Sequence, residues 1–180
     1  MALHNVVIKK QYAAYNIDAL NRTAVCDADI DNGCVFKLTS YSENPGEGIV
    51  WKAEQAAATD KGLWMATSPE VVYTSIMDGV ELRGLTEDPR AFYNIAGHMI
   101  DATCLMPKDI IEMTGEGIDG IEEPTNTYLV PAASDYKLAV ATAAGTGMSL
   151  RKIGTSRLHI GGSGIAKGIV PTYKYEVEIN

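Results

Sequence analysis

Tyr173-Lys174-Tyr175-Glu176-Val177-Glu178-Ile179 alternates an aromatic or aliphatic residue with a charged one at every step. A period of two puts all four apolar side chains on one face of an extended chain and the charges on the other, which predicts a half-buried strand. The same reading recurs upstream. Cys34, Phe36 and Leu38 alternate with Val35, Lys37 and Thr39 after the turn signal Asp31-Asn32-Gly33, and Ile49, Trp51 and Ala53 alternate with Lys52 and Glu54. The Gly- and Pro-bearing stretch 42–48 between them predicts a hairpin with an exposed tip. Further short strands are predicted at 62–66, 71–74, 100–106, 110–114, 127–130, 136–140, 148–153 and 157–160. A single helical signal stands out. Asp88 suits an N-cap, Pro89 the first helical position, and Phe92 and Ala96 lie four apart, predicting one short helix over 89–96. Many short strands with Gly, Pro and Asp punctuation define a mainly β fold, an antiparallel β-sandwich or barrel.

At 180 residues the chain suits one domain, and at 46% hydrophobic and 21% charged it can bury a core without staples. The net charge of −8 disfavours nucleic acid, whose binding needs clustered Lys and Arg. Three cysteines, Cys26, Cys34 and Cys104, without a CxxC pair argue against a disulfide framework or a zinc site and predict reduced, buried thiols. No apolar run approaches the ~20 residues that span a bilayer. The start, MALHNVVIKK, lacks a basic segment ahead of a long apolar stretch, so the expected compartment is a cytoplasm.

Chemical motifs fail on spacing. Counted from Asp27, the acidic run Asp27-Ala28-Asp29-Ile30-Asp31 puts Asn32 where a calcium loop needs Gly and Leu38 where it needs Glu. The glycine run 161–168 misses the phosphate-loop spacing and leads into a strand rather than a helix. His4, His98 and His159 are scattered, and Cys104 lies in a strand pattern with no base beside it. The adjacent carboxylates Glu87-Asp88 and Glu122-Glu123 read as solvated loop charges. The expectation is therefore no catalytic residue, no metal and no cofactor. Residues 1–20 lack a self-contained amphipathic pattern yet carry Val6, Val7, Ile8, Tyr12 and Tyr15, which need burial somewhere. Val6-Val7-Ile8 fits a short strand and Tyr12 to Tyr15 a helix or an extended arm, and the segment is the candidate N-terminal contact arm ahead of a single β-rich domain over 21–180.

The segments NVVIKKQYAAYN (5–16), AVCDADIDNGCVFKLTS (24–40) and DPRAFYNIAG (88–97), with PKDIIEMTGEGI (107–118) followed by TYLVPAASDYKLAV (127–140), resemble head-associated structural proteins of tailed bacteriophages, of the capsid-decoration or head-fibre-base type. The resemblance spans most of the chain and rests on segment order. It implies a β-rich, non-enzymatic virion protein, made in the host bacterial cytoplasm, that binds the major capsid protein on the capsid exterior. It also implies a homo-oligomer, with a trimer expected from shell symmetry, and neither nucleic acid nor membrane as partner. A tail or neck component and a carbohydrate-binding β module are the alternatives.

Overall fold

A computed structural model describes residues 3–41, 48–71, 74–77, 80–83, 88–120, 127–160 and 168–180. Its strands are β1 (Val7–Gln11), β2 (Asn21–Val25), β3 (Val35–Tyr41), β4 (Val50–Gln55), β5 (Trp64–Ala66), β6 (Thr74–Met77) and β7 (Val80–Arg83). They continue with β8 (Met99–Cys104), β9 (Ile110–Thr114), β10 (Ile118–Asp119), β11 (Tyr128–Pro131), β12 (Leu138–Ala141), β13 (Ser149–Ile160) and β14 (Gly168–Ile179). The fold is mainly β, as the alternation predicts. One sheet runs β1-β9-β14-β13-β11-β12-β10, a closed barrel runs β2-β4-β3-β5-β8, and β6 and β7 form a separate hairpin. Pairing is antiparallel except for β2–β4 and β10–β12.

Two cores follow. Ala24, Cys26, Cys34, Phe36, Ala53, Ala66, Ile100 and Ala102 belong to the barrel's cluster. Interior width grows with strand number, so a five-stranded barrel holds mostly alanine- and cysteine-sized side chains around one phenylalanine. All three thiols are free, with Cys26 and Cys34 buried and Cys104 half-buried, and burial pushes Cys34 up to about 12. The larger core lies between barrel and sheet. Val35, Leu63, Met65 and Leu105 pack there with Ile111, Met113, Leu150, Tyr175 and Val177. β3 therefore buries both faces, Val35 toward the sheet and Phe36 inside the barrel.

The predicted 34–54 hairpin is β3–β4, with Phe36 opposite Gln55 and Leu38 opposite Ala53. The C-terminal strand is β14, and Tyr175 and Val177 are fully buried. One expectation needs correction. The helix over 89–96 is a 3-10 turn at Pro89–Ala91. Asp88 caps it by accepting from the Arg90 N–H, but the backbone is already extended at Phe92, and Asn94 forms a β-bridge with Ile30. Pairing with Ile30 claims the backbone that further helix would need.

The N-terminal segment takes its short-strand form. Residues 7–11 are edge strand β1, antiparallel to β9 with Val7 opposite Met113. Val6, Val7 and Tyr12 are buried in this chain's own core. Their burial partner is internal because β9 offers an open edge and the larger core an apolar one. Ile8 stays half-buried and Tyr15 is 64% exposed. The hairpin tip at 42–47, Val72-Tyr73, Glu87, the Glu122-Glu123 pair and the glycine run at 161–167 lie outside the described residues. No helix among the described residues is long and apolar enough to cross a membrane.

Candidate functional site

After β5 the chain leaves the barrel as an extended strap, Thr67-Ser68-Pro69-Glu70-Val71, that borders a branched groove. Buried side chains hold it in place of a strand ladder. Asn32, 1% exposed, donates through Nδ2 to the Ser68 carbonyl (2.8 Å) and accepts at Oδ1 from the Ser68 N–H (3.1 Å). This reproduces a backbone pairing with one amide. The same Nδ2 donates to Glu70 Oε1 (3.0 Å), and Asn94 Nδ2 donates to Asn32 Oδ1 (3.1 Å). Glu70 also accepts from the Val7 N–H at 2.9 Å, tying the strap to β1. At its start, the Thr67 N–H donates to the Asp101 carbonyl, and the Thr67 and Thr103 hydroxyls share a 2.7 Å hydrogen bond.

Three clefts meet at Asp101. One of about 430 Å³ is apolar, walled by Pro69, Val71, Phe92, Tyr93, Ile95 and Met99, with His98 at its side. One of about 380 Å³ lies between the strap and the N-terminal segment and is lined by Ile8, Tyr15, Pro69 and Glu70. The third, about 480 Å³, is polar, with Asn21, Arg22, Thr23 and Thr103 around it and Ile49 at its edge. Exposed apolar side chains line the branches, including Tyr93 at 37%, Ile95 at 47% and Met99 at 52%. Tyr93 stacks on the His4 ring (centroids 4.8 Å apart), and His4 Nδ1 bonds Asp31 Oδ1 at 2.7 Å. The N-terminal segment thus braces the apolar branch.

Of the five residues expected to make contacts, the structure brings Ile8 and Tyr15 to this groove, along with the edge of Val7, and places Val6 and Tyr12 inside the molecule. His98 lines the apolar branch, His159 is exposed on β13, and Cys104 ends β8 with its thiol raised by burial. The acidic run divides its carboxylates among separate partners. Asp27 meets Lys52, Asp29 accepts from the Ala96 N–H, and Asp31 holds His4. Among the described residues no three metal-ligating side chains gather. The sequence reading missed Pro69, Tyr93, Ile95, Met99 and Asp101. Tyr93 and Ile95 lie in the stretch read as a helix, and nothing in the spacing of His4 and Asp31 signals their pairing.

No family model, curated protein or solved structure matches this chain.

Asn32→Ala removes the strap's main anchor. A buried polar group left without its partner costs about 1–3 kcal/mol, so the expected loss is about 2 kcal/mol in urea unfolding. Amide exchange should speed up most at residues 67–71, whereas β13 and β14 keep their protection. Equal loosening everywhere would mean that Asn32 supports the fold and not the strap in particular.

Proposed function

We propose that this protein is a non-enzymatic structural component of a tailed-phage virion, made in the host cytoplasm, that binds the capsid exterior and decorates or stabilises it as a homo-oligomer. The groove supports this reading. An open surface that exposes Tyr15, Tyr93, Ile95 and Met99 beside Asp101, over a rigid β framework, has the aromatic, methionine-bearing and mixed character of protein-binding surfaces. The large capsid protein is the proposed occupant, in line with the resemblance noted from sequence.

The test is co-sedimentation of the purified chain with phage heads that lack it. Wild-type protein should pellet with the heads. Tyr93→Ala and Met99→Glu, each in the apolar branch, should weaken that binding by about tenfold or more if they sit at a hot spot. Met106→Glu, at an exposed position (39%) outside the three clefts, should not. A chain that stays in the supernatant, or is recovered from tails or necks of intact virions, would sink the capsid reading. The carbohydrate-binding alternative rests on a separate observation. Exposed Tyr41 packs on Trp51 with ring centroids 4.3 Å apart, near Ile49 at the polar branch, and aromatic platforms of this kind stack on sugar rings. Saturable glycan binding abolished by Tyr41→Ala would favour it.

A further inference from the structure

The long hairpin β13–β14 outruns the sheet that holds it. β13 pairs with β14 along its length, from Ser149 opposite Ile179 to Ile160 opposite Gly168. On its other side β11 covers only Leu150 and Arg151, and the Lys152 N–H reaches the Thr127 carbonyl. Beyond that point Ile153–Ile160 shows an edge with no strand partner among the described residues. Eight residues of antiparallel strand span roughly 26 Å. Open edges of this length are templates for strand addition, and proteins usually blunt them.

The other edges are blunted. β1 carries an irregularity between Lys9 and Gln11, and its Val7 N–H is taken by the Glu70 carboxylate. β10 is two residues long, and the barrel is closed. β6 and β7 are four residues each. On β14, β9 covers Thr172–Glu176, and the free stretch before it contains Pro171, which has no N–H to offer. β13 is thus the one long, unblunted edge among the described strands.

We infer that the β13 edge, Ile153–Ile160, pairs antiparallel with the same edge of a second copy of this chain about a two-fold axis at Ser156. A second copy is the proposed occupant because, among the described edges, this one alone supplies a strand of matching length, and it can pair with itself without opposing like charges. The register follows from side-chain chemistry. Opposed residues in an antiparallel pair share a face, so a central two-fold passes through Ser156 or Arg157. At Arg157 it would set two guanidinium groups directly opposite each other, which is destabilising. At Ser156 it sets hydroxyl against hydroxyl, Thr155 against Arg157 of the second copy, Gly154 against Leu158 and Ile153 against His159. The exposed Ile153 (45%) then gains a neighbour. An isologous contact of this kind closes at two subunits. It is a different assembly from the three-fold one that the resemblance implies, and it does not depend on capsid binding.

Sedimentation equilibrium of the full chain tests it, with circular dichroism to check folding. Wild type should be a dimer at micromolar concentration. Thr155→Lys sets lysine against Arg157 twice and should raise the dissociation constant about tenfold. Thr155→Glu should lower it, and adding Arg157→Glu to Thr155→Lys should restore the dimer. Position 155 is exposed, so these variants should fold. A wild-type monomer, a trimer, or a dimer indifferent to Thr155→Lys would overturn the inference. A failed rescue in the double variant would overturn the Ser156 register.

Discussion

Gly147→Ala is expected to cost about 3 kcal/mol, because its new methyl group has nowhere to go. A Cβ at Gly147 would lie 2.5 Å from the Asp60 oxygen and the Thr59 carbonyl carbon, and 2.6 Å from the Ala58 oxygen. All three are backbone atoms, so no rotamer change relieves the clash. Their turn cannot retreat cheaply. Asp60 Oδ2 accepts from the Ala57 N–H at 2.8 Å and meets Lys37 Nζ at 3.2 Å, and the Asp60 N–H donates back to the Ala57 carbonyl. The next residue, Met148, is fully buried in the larger core and donates its N–H to the Asp60 carbonyl at 2.8 Å. Pushing position 147 away strains that bond and draws Met148 from its packing, just where the sheet meets the turn leaving β4. In a chain this size each kcal/mol moves the midpoint by roughly 2–4 °C. Thermal unfolding should therefore show a fall of about 10 °C. Gly168→Ala, whose Cβ meets nothing within 4 Å, should leave the midpoint unchanged or slightly higher. Equal behaviour of the two variants would refute the steric account.

Glu112→Ala should cost about 2–3 kcal/mol and change the response to acid. Glu112 is 1% exposed on β9 between β1 and β14. It accepts from the fully buried Thr172 hydroxyl and lies 3.2 Å from Lys10 Nζ and 4.0 Å from Lys174 Nζ. Both lysines keep access to water, so most of the loss comes from the stranded Thr172 hydroxyl and the space left behind. Burial pushes the carboxyl up, but the Thr172 hydroxyl and the two ammonium groups outweigh it and hold it below its ordinary value. A carboxyl lowered by folding stabilises the folded state above its unfolded pKa of about 4.3 and loses that contribution as pH falls through the folded value. Asp60, held down by the Ala57 amide and Lys37, Asp88 by Arg90, and Glu176 by Lys108 and Arg151 act in the same direction. The unfolding midpoint should stay level from neutral pH to about 5 and drop below about 4.3. Glu112→Gln keeps an acceptor for Thr172 but carries no proton-linked charge, so its profile should fall less steeply. Parallel wild-type and Gln profiles would show that the carboxylate is not held low.

The wild-type fold was legible wherever burial is one-sided. In β14, alternation is the direct trace of one face in a core and one in water, so a local window carries the whole signal, whereas β3 buries Val35 and Phe36 alike and, at the start of β4, Val50 is buried while Ile49 is exposed. The fully buried Tyr175 and Val177 lie on the predicted face of β14. Residues 1–20 stayed open between strand and arm for the opposite reason. Val6 and Val7 lie beside Thr114 and Met113, more than a hundred positions away, and no local pattern records such a neighbour. The 89–96 stretch held sound cap chemistry, and a single bridge from Asn94 to Ile30 decided against helix. The groove was invisible too, since its strap is held by Asn32, itself held by Asn94, two ordinary polar residues in sequence.

That this chain is β-rich and able to bury a core is written in its local pattern, because strand period and apolar content are properties of neighbouring residues. Closure of five strands into a barrel, the site of the N-terminal segment, the gathering of Tyr15, Tyr93 and Met99 around Asp101, and the stretch of β13 without a strand partner among the described residues arise from long-range packing. Each depends on which distant strand satisfies which backbone edge, and that choice is made by the competition among all edges and faces at once.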